Sequence, residues 1–239
     1  MPDLDVDLVG SLAVTGVVAV GAVTARRERS ASGRDLLAGA LRPVVRAFVG
    51  AGISANAITG ASLVAGAVAG VALALGHFGV GAVAVLAASL GDALDGLVAR
   101  ATRTASAGGA LFDSSVDRYE EFLVLAGLAI WFRSNAVVLV LALLALLASF
   151  MVSYGSAKAE ALHVPVPGGV MRRAHRAVCV GAGVTLVPLA VAGVHRLALP
   201  PVLADLPVSL SLGIVALTGN VSAVRRLRSI AASASGGRG

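Results

Sequence analysis

Long apolar runs separated by short polar or basic segments dominate the chain. The run 8–25 carries no charged residue and ends at a group of arginines. A helix needs about 20 apolar residues to cross the hydrocarbon core of a bilayer, so this run is just long enough. Similar runs follow along the chain. The pattern predicts about seven spans, at residues 8–25, 56–76, 79–102, 108–132, 135–158, 176–195 and 207–224.

A different pattern occupies residues 34–49, between the first two runs. Arg34, Arg42 and Arg46 alternate there with leucine and valine at helical spacing. This predicts an amphipathic helix lying on the membrane surface, and a plain connecting helix is the alternative. The predicted organisation is an extra span and basic loop at 1–33 and a membrane domain at 34–228. A Ser- and Gly-rich tail at 229–239 is predicted to be disordered.

Composition agrees with a polytopic membrane protein. Hydrophobic residues make up 57% of the chain and charged residues 13%, whereas a soluble domain carries about 25% charged residues. The chain contains 29 glycines, and small residues allow transmembrane helices to approach closely. The predicted fold is therefore an all-α transmembrane helical bundle. The single cysteine, Cys179, excludes an internal disulfide framework.

The net charge of +6 comes from arginines that cluster between the apolar runs. We therefore expect the bilayer surface, and not nucleic acid, to be the partner of this charge. Strict alternation across seven spans puts all four basic segments on one side, which the positive-inside rule identifies as the cytoplasm. These basic segments are 26–46, 100–103, 158–176 and 225–228.

Carboxylates interrupt the third run. Asp92, Asp95, Gly96, Ala99 and Arg100 are spaced i, i+3, i+4, i+7 and i+8, so they share one face of a helix. A carboxylate inside a membrane segment is energetically costly and is a functional candidate by default.

The fourth run carries a second pair of carboxylates. Gly109, Asp113 and Asp117 are spaced i, i+4 and i+8 and also share a helical face. A short loop at 102–108 joins the two helices; Asp92 lies about ten residues before it and Asp117 about nine after it, at about 1.5 Å per residue. All four aspartates are therefore predicted to converge at a similar depth in the cytoplasmic half of the membrane.

Four carboxylates this close repel one another and require cations. Carboxylate oxygens are hard ligands that suit Mg²⁺ or Mn²⁺, and four of them suggest a pair of ions of the kind that assists phosphoryl displacement. Gly96 and Gly109 leave room for a ligand, and Arg100 can pair with phosphate. Two alternatives remain: an ion- or proton-coupled transporter built on the aspartate pairs, and a catalytically inactive scaffold.

The pattern D-x2-D-G-x2-A-R-x8-G-x3-D-x3-D runs from Asp92 to Asp117. It is similar to the signature of the CDP-alcohol phosphotransferase family, integral membrane enzymes of phospholipid synthesis. The segments ISANAIT at 53–59 and SYGSAKAEA at 153–161 also resemble family features. The resemblance covers about 34–228, and the span at 8–25 departs from the six-helix family core.

The resemblance implies a site and a reaction. The four aspartates would hold two divalent cations, and Asp117 would also be the general base. The donor would be a CDP-linked lipid, CDP-diacylglycerol in a bacterial cell membrane, and a polar alcohol would displace CMP. Family members are often homodimers, so the same assembly is expected. The residues implied in nucleotide binding are Gly96, Arg100, Gly109, Ser106, Asn56 and Thr59.

The acceptor is less well defined by sequence. A basic group could bind a phosphorylated polyol such as inositol phosphate or glycerol phosphate, although its charge also fits the positive-inside pattern alone. Family members that use inositol phosphate often show SYxKARAE, whereas Ser156 and Lys158 stand here in place of basic residues and arginine, respectively. The candidate acceptor residues are Lys158, Arg172, Arg173 and Arg176.

Overall fold

The computed structural model describes residues 31–165 and 171–236, and all regular structure within these ranges is helical. The predicted all-α fold is thus confirmed. Short 3-10 turns lie at Phe132–Ser134 and Pro201–Asp205. The α-helices are α1 (Ala31–Gly50), α2 (Ala55–Ala74), α3 (Phe78–Thr102), α4 (Ala107–Trp131), α5 (Ala136–Ala161), α6 (Arg173–Leu197) and α7 (Leu206–Gly236).

Five described segments are long and apolar enough to cross a membrane: α2, α3, α5, α6 and Pro201–Ser235. The protein is an integral membrane protein. Helix α4 has 25 residues, as does α3, but the charged side chains between Asp113 and Glu121 keep it out of this set, so its crossing stays a prediction. The predicted span at 8–25 lies outside the described residues.

Polar caps and a glycine turn mark several helix boundaries close to the predicted ones. Ser54 caps α2, with its Oγ accepting a hydrogen bond from the Ala57 amide at 3.2 Å. Asn135 caps α5 in the same way. Gly76, with φ of 85°, makes the turn between α2 and α3, where a side chain would be strained.

The tail requires a correction. The sequence predicts a disordered segment from residue 229, but α7 continues to Gly236. Ile230 is only 3% exposed, so burial of its side chain stabilises the helix beyond the predicted end. Alanines at 231, 232 and 234 then favour continuation, because alanine has the highest helix propensity.

The chain forms two compact units, one through Gly127 and the other from Leu128 onward, with α4 contributing to both. In the first unit, α1 packs through one stripe of side chains onto α2 and α3. Arg42 and Arg46 stay exposed on α1, which is the amphipathic arrangement expected of this segment. The packed cluster contains Leu41, Val45, Phe48, Ile58, Leu94 and Val98.

Glycines bring α2 and α4 into direct backbone contact in this unit. A Cβ on Gly70 would lie 2.6 Å from the carbonyl oxygen of Leu123, and a Cβ on Gly127 would overlap the Gly70 carbonyl. A Cβ on Gly66 would lie 2.9 Å from Cγ of the buried Glu120. This close approach fixes α4, and with it two of the aspartates.

In the second unit, small residues and one amide join α7 to its neighbours. A Cβ on Gly219 would lie 2.8 Å from the Cβ of Ala148 on α5. The side-chain amide of Asn220 donates a hydrogen bond of 2.9 Å to the Leu144 carbonyl. On α6, Gly183 leaves room for Ser211 of α7.

Candidate active site

Three aspartates converge between α3 and α4. One carboxylate oxygen from each of Asp92, Asp113 and Asp117 lies within 4.8 Å of the others, and all three residues are half-buried. Asp113 and Asp117 are one helical turn apart, so α4 presents both to Asp92 on α3. The donor set is three hard carboxylate oxygens, which suits Mg²⁺ or Mn²⁺.

Asp95 lies outside this group of three and has a different environment. It is 5% exposed, and its Oδ2 accepts a hydrogen bond of 2.6 Å from Oγ1 of Thr59, which is 3% exposed. A hydroxyl-to-carboxylate bond of this length is in the strong, charge-assisted range. The fourth predicted ligand is therefore anchored to α2.

A cavity of about 480 Å³ lies beside these aspartates, within the range of small-molecule sites. The start of α2, the end of α3 and the start of α4 form its wall. All six residues that the resemblance implied in nucleotide binding line this cavity. Among its lining residues are Asn56, Thr59, Asp95, Gly96, Arg100, Ser106, Gly109 and Asp113.

The two predicted glycines have distinct surroundings. A Cβ on Gly96 would lie 3.2 Å from Nη1 of Arg100, so the guanidinium lies along the bare face of this glycine. A Cβ on Gly109 would lie 3.2 Å from Oγ of Ser106 and 3.7 Å from Oδ1 of Asn56. Gly109 thus leaves room for the side chains of Ser106 and Asn56 at the cavity wall, whereas the sequence predicted only that it leaves room for a ligand.

Two helices begin at the cavity. The Oγ of Ser106 accepts a hydrogen bond of 3.1 Å from the Gly109 amide at the start of α4, as Ser54 does at the start of α2. A helix amino terminus carries a partial positive charge and favours bound anions. Together with Arg100, these termini favour binding of a phosphate-bearing ligand.

Two hydroxyl groups at the cavity were missed by sequence reasoning. Thr102 and Thr104 both line it, and their Oγ1 atoms lie 2.8 Å apart. Arg103 between them adopts φ of 56° as the C-cap of α3, which reverses the chain and brings both threonines to the same place. The two threonines follow no helical spacing in the sequence, so their proximity is seen only in the folded loop.

The predicted acceptor residues belong to the second unit and differ in exposure. Lys158 and Arg172 are exposed and Arg173 is half-buried. Arg176 is 2% exposed and donates a hydrogen bond of 3.4 Å to the Met171 carbonyl. Burial of Arg176 makes it a less accessible contact than the sequence implied.

Arg226 is a further basic residue that the sequence did not single out. It is 7% exposed and donates hydrogen bonds to the Val152 carbonyl and to Oγ of Ser156. The positive charges of Arg176 and Arg172 act on its guanidinium. The sequence pointed to Arg226 only through its place in the basic segment 225–228. Three arginines therefore concentrate positive charge in the second unit.

Comparison with known proteins gives consistent matches. The family model of CDP-alcohol phosphatidyltransferases matches residues 52–217. A phosphatidylinositol phosphate synthase of Streptomyces avermitilis is 30% identical over 156 residues, which are 64% of this chain and 61% of that protein. A protein of the same name from Mycolicibacterium smegmatis is 34% identical over 153 residues, covering 62% of this chain and 69% of the relative.

Solved structures with the same fold include Mycobacterium tuberculosis phosphatidylinositol phosphate synthase. Its complex with manganese and citrate has a TM-score of 0.70 at 24% identity and covers 80% of this chain and 88% of that chain. Its form with CDP-DAG bound has a TM-score of 0.68 and covers 79% and 92%, respectively. At this level of identity the likeness establishes the fold.

Proposed function

Because the chain belongs to the CDP-alcohol phosphatidyltransferase family, we propose that it transfers a phosphatidyl group from CDP-diacylglycerol to a polar alcohol and releases CMP. The family resemblance inferred from the aspartate pattern is confirmed by this membership. One observation carries the proposal: the group of three carboxylates lies beside a cavity that all six implied nucleotide-binding residues line.

Divalent cations fit the donor set. Enzymes of the family depend on divalent metal, and we assign Asp92, Asp95, Asp113 and Asp117 as the ligands of two ions, Mg²⁺ or Mn²⁺. When bound, these ions would neutralise charge on the pyrophosphate and on the departing CMP. The protein contributes the fixed carboxylates and the surrounding positive potential.

The nucleotide would occupy the cavity. Arg100 is exposed and lies along Gly96, where its guanidinium can pair with a phosphate group. The helix starts at Ser54 and Ser106 favour the same negative charge. These groups hold the donor with its phosphorus atoms near the aspartates.

Asp117 is assigned as the general base. It would take the proton of the acceptor hydroxyl as the acceptor oxygen bonds to the phosphorus that bears the lipid. The bond from that phosphorus to the bridging oxygen breaks, and CMP leaves with the electron pair. Catalysis of this kind depends on positioning and electrostatic stabilisation more than on covalent chemistry by the protein.

The acceptor that we favour is a phosphorylated polyol, inositol phosphate first. The arginine group of the second unit supports it, because the exposed Arg172 can contact a phosphate and the buried Arg176 and Arg226 add positive charge to the same group. Lys158 and Arg173 add to this charge. The names of the aligned relatives agree with this choice. We place the site on the cytoplasmic side of a bacterial cell membrane, as the positive-inside pattern predicts.

The test is a panel of acceptors. Purified protein is incubated with CDP-diacylglycerol and Mn²⁺ or Mg²⁺, together with inositol phosphate, glycerol phosphate, inositol, serine or no acceptor. CMP release and the lipid product are measured by mass spectrometry. The proposal predicts CMP and a phosphatidylinositol phosphate product with inositol phosphate. Release with serine or inositol alone would replace the acceptor assignment, and no release with any acceptor would reject the enzyme reaction.

A further inference from the structure

We infer that Thr59 is a positioning residue that orients the carboxylate of Asp95 for metal binding, in addition to lining the cavity. The inference rests on the proposed function, because it assigns Asp95 as a metal ligand. It concerns the hydrogen bond of 2.6 Å between Oγ1 of Thr59 and Oδ2 of Asp95.

The hydroxyl of Thr59 has two acceptors within reach and a single proton to donate. The Ala55 carbonyl lies 3.1 Å from Oγ1, whereas Asp95 Oδ2 lies at 2.6 Å. A carboxylate is the stronger acceptor, and the shorter contact belongs to it. The proton therefore points to Asp95, and the bond joins α2 to α3 in place of a bond within α2.

The backbone around Thr59 is held against α3. A Cβ on Gly91 would lie 2.7 Å from the Cβ of Ser62, so α2 packs directly on the bare face of this glycine. Ser62 also donates a hydrogen bond of 2.8 Å to the Thr59 carbonyl. Threonine is β-branched, which restricts its χ1 angle further. The hydroxyl is thus presented to Asp95 from a fixed position.

This arrangement fixes the orientation of the Asp95 carboxylate. The hydrogen bond from Thr59 to Oδ2 restricts rotation of the carboxylate, which lies at the wall of the cavity where an ion would be held. Asp92, Asp113 and Asp117 already lie together without it. Partners that orient a metal ligand change metal affinity by about 10- to 100-fold when they are removed. Thr59 therefore tunes the affinity for the ion that Asp95 binds.

The test is a titration with Mn²⁺ in the absence of nucleotide, with binding measured by calorimetry and by electron paramagnetic resonance. Thr59→Val removes the hydroxyl at nearly constant volume, and Thr59→Ser keeps it. We expect Thr59→Val to weaken one class of Mn²⁺ site by about tenfold and Thr59→Ser to restore most of the affinity. Thr185→Val is the matched control, because Thr185 is also buried and its hydroxyl donates to the Gly181 carbonyl of its own helix.

A double-mutant cycle shows whether Thr59 acts through Asp95. In the Asp95→Asn background, Thr59→Val should cause no further loss of Mn²⁺ affinity. Wild-type affinity in Thr59→Val, or an equal loss in both backgrounds, would overturn the inference. If Thr59→Val does not purify as a folded protein, Thr59→Ala takes its place in the same cycle. Mn²⁺ binding is measured without substrate, so its outcome does not depend on enzyme activity. An inactive wild type would reject the proposed reaction but would not alter the test of Thr59.

Discussion

The guanidinium of Arg100 lies along Gly96, one helical turn away on α3, where a Cβ would stand 3.2 Å from its Nη1 atom. Both residues line the cavity. The glycine thus contributes by leaving room for its neighbour: it lets a long side chain lie flat against the helix at the point where a phosphate is expected. Gly96 and Arg100 therefore act together in shaping the phosphate site.

Replacing Gly96 separates this role from helix stability. Gly96→Ala should push the guanidinium aside and raise the KM for CDP-diacylglycerol by about tenfold, the effect of losing roughly 1.4 kcal/mol of binding. The helix itself should gain up to about 1 kcal/mol, because alanine replaces glycine in a helix interior. Steady-state CMP release and thermal unfolding in detergent measure the two effects.

Gly60→Ala is the control for that substitution. Gly60 lies in α2 and has open space where a Cβ would be, so we expect unchanged kinetics and equal or slightly higher thermal stability. If Gly96→Ala behaves like Gly60→Ala in the kinetic assay, Gly96 does not position Arg100.

The backbone contact between α2 and α4 predicts a loss of stability on Gly70→Ala. The added Cβ would lie 2.6 Å from the Leu123 carbonyl oxygen, and a backbone oxygen cannot move aside as a flexible side chain can. We expect destabilisation of about 1–3 kcal/mol, as for overpacked cores, seen as a lower midpoint of thermal unfolding. A midpoint equal to that of Gly60→Ala would show that the helices can separate at no cost.

Asp117→Asn tests the assignment of the general base. The amide keeps the size of the side chain but cannot accept the hydroxyl proton, so kcat should fall by about 10²- to 10⁴-fold. Because Asp117 is also assigned as a metal ligand, the assay is run at saturating Mn²⁺, where the KM for CDP-diacylglycerol should change much less than kcat. A rapid-quench measurement of CMP formation gives the rate of the chemical step. Wild-type turnover in this variant would remove Asp117 from the role of base.

Arg172→Gln tests the acceptor assignment at an exposed arginine. We expect a rise of about tenfold in the KM for inositol phosphate, with little change in the KM for the donor, because one charge-assisted contact is lost. Added salt should reduce the difference between variant and wild type, since screening weakens exposed charges. Arg196→Gln, another exposed arginine, is the control, and equal effects of the two would indicate general surface charge.

Most of the helix pattern could be predicted from sequence, because several apolar runs begin or end at a recognisable cap or turn. Ser54, Gly76 and Asn135 are examples. The end of α7 could not be predicted, since residues after Ser229 have the composition of a flexible tail. Burial of Ile230 keeps that segment helical, and burial depends on tertiary packing, which the local sequence does not reveal.

For the candidate site, helical spacing was sufficient to bring Asp92, Asp113 and Asp117 together. Spacing could not distinguish Asp95 from them, because its environment is set by Thr59, 36 positions earlier in the chain. It also could not identify Arg226, which reaches Ser156 across a separation of 70 residues. Contacts of this kind arise only when helices distant in sequence pack together.

The aspartates of α3 and α4 are proposed to support metal-dependent release of CMP. The most direct test of this proposal is CMP formation from CDP-diacylglycerol and inositol phosphate by wild type and Asp113→Asn, each after chelation and after return of Mn²⁺. We predict that wild type loses activity on chelation and regains it with Mn²⁺, whereas Asp113→Asn stays at least about 100-fold slower, in the range of losses for groups that stabilise developing charge. Full activity without metal, or in Asp113→Asn, would contradict the account.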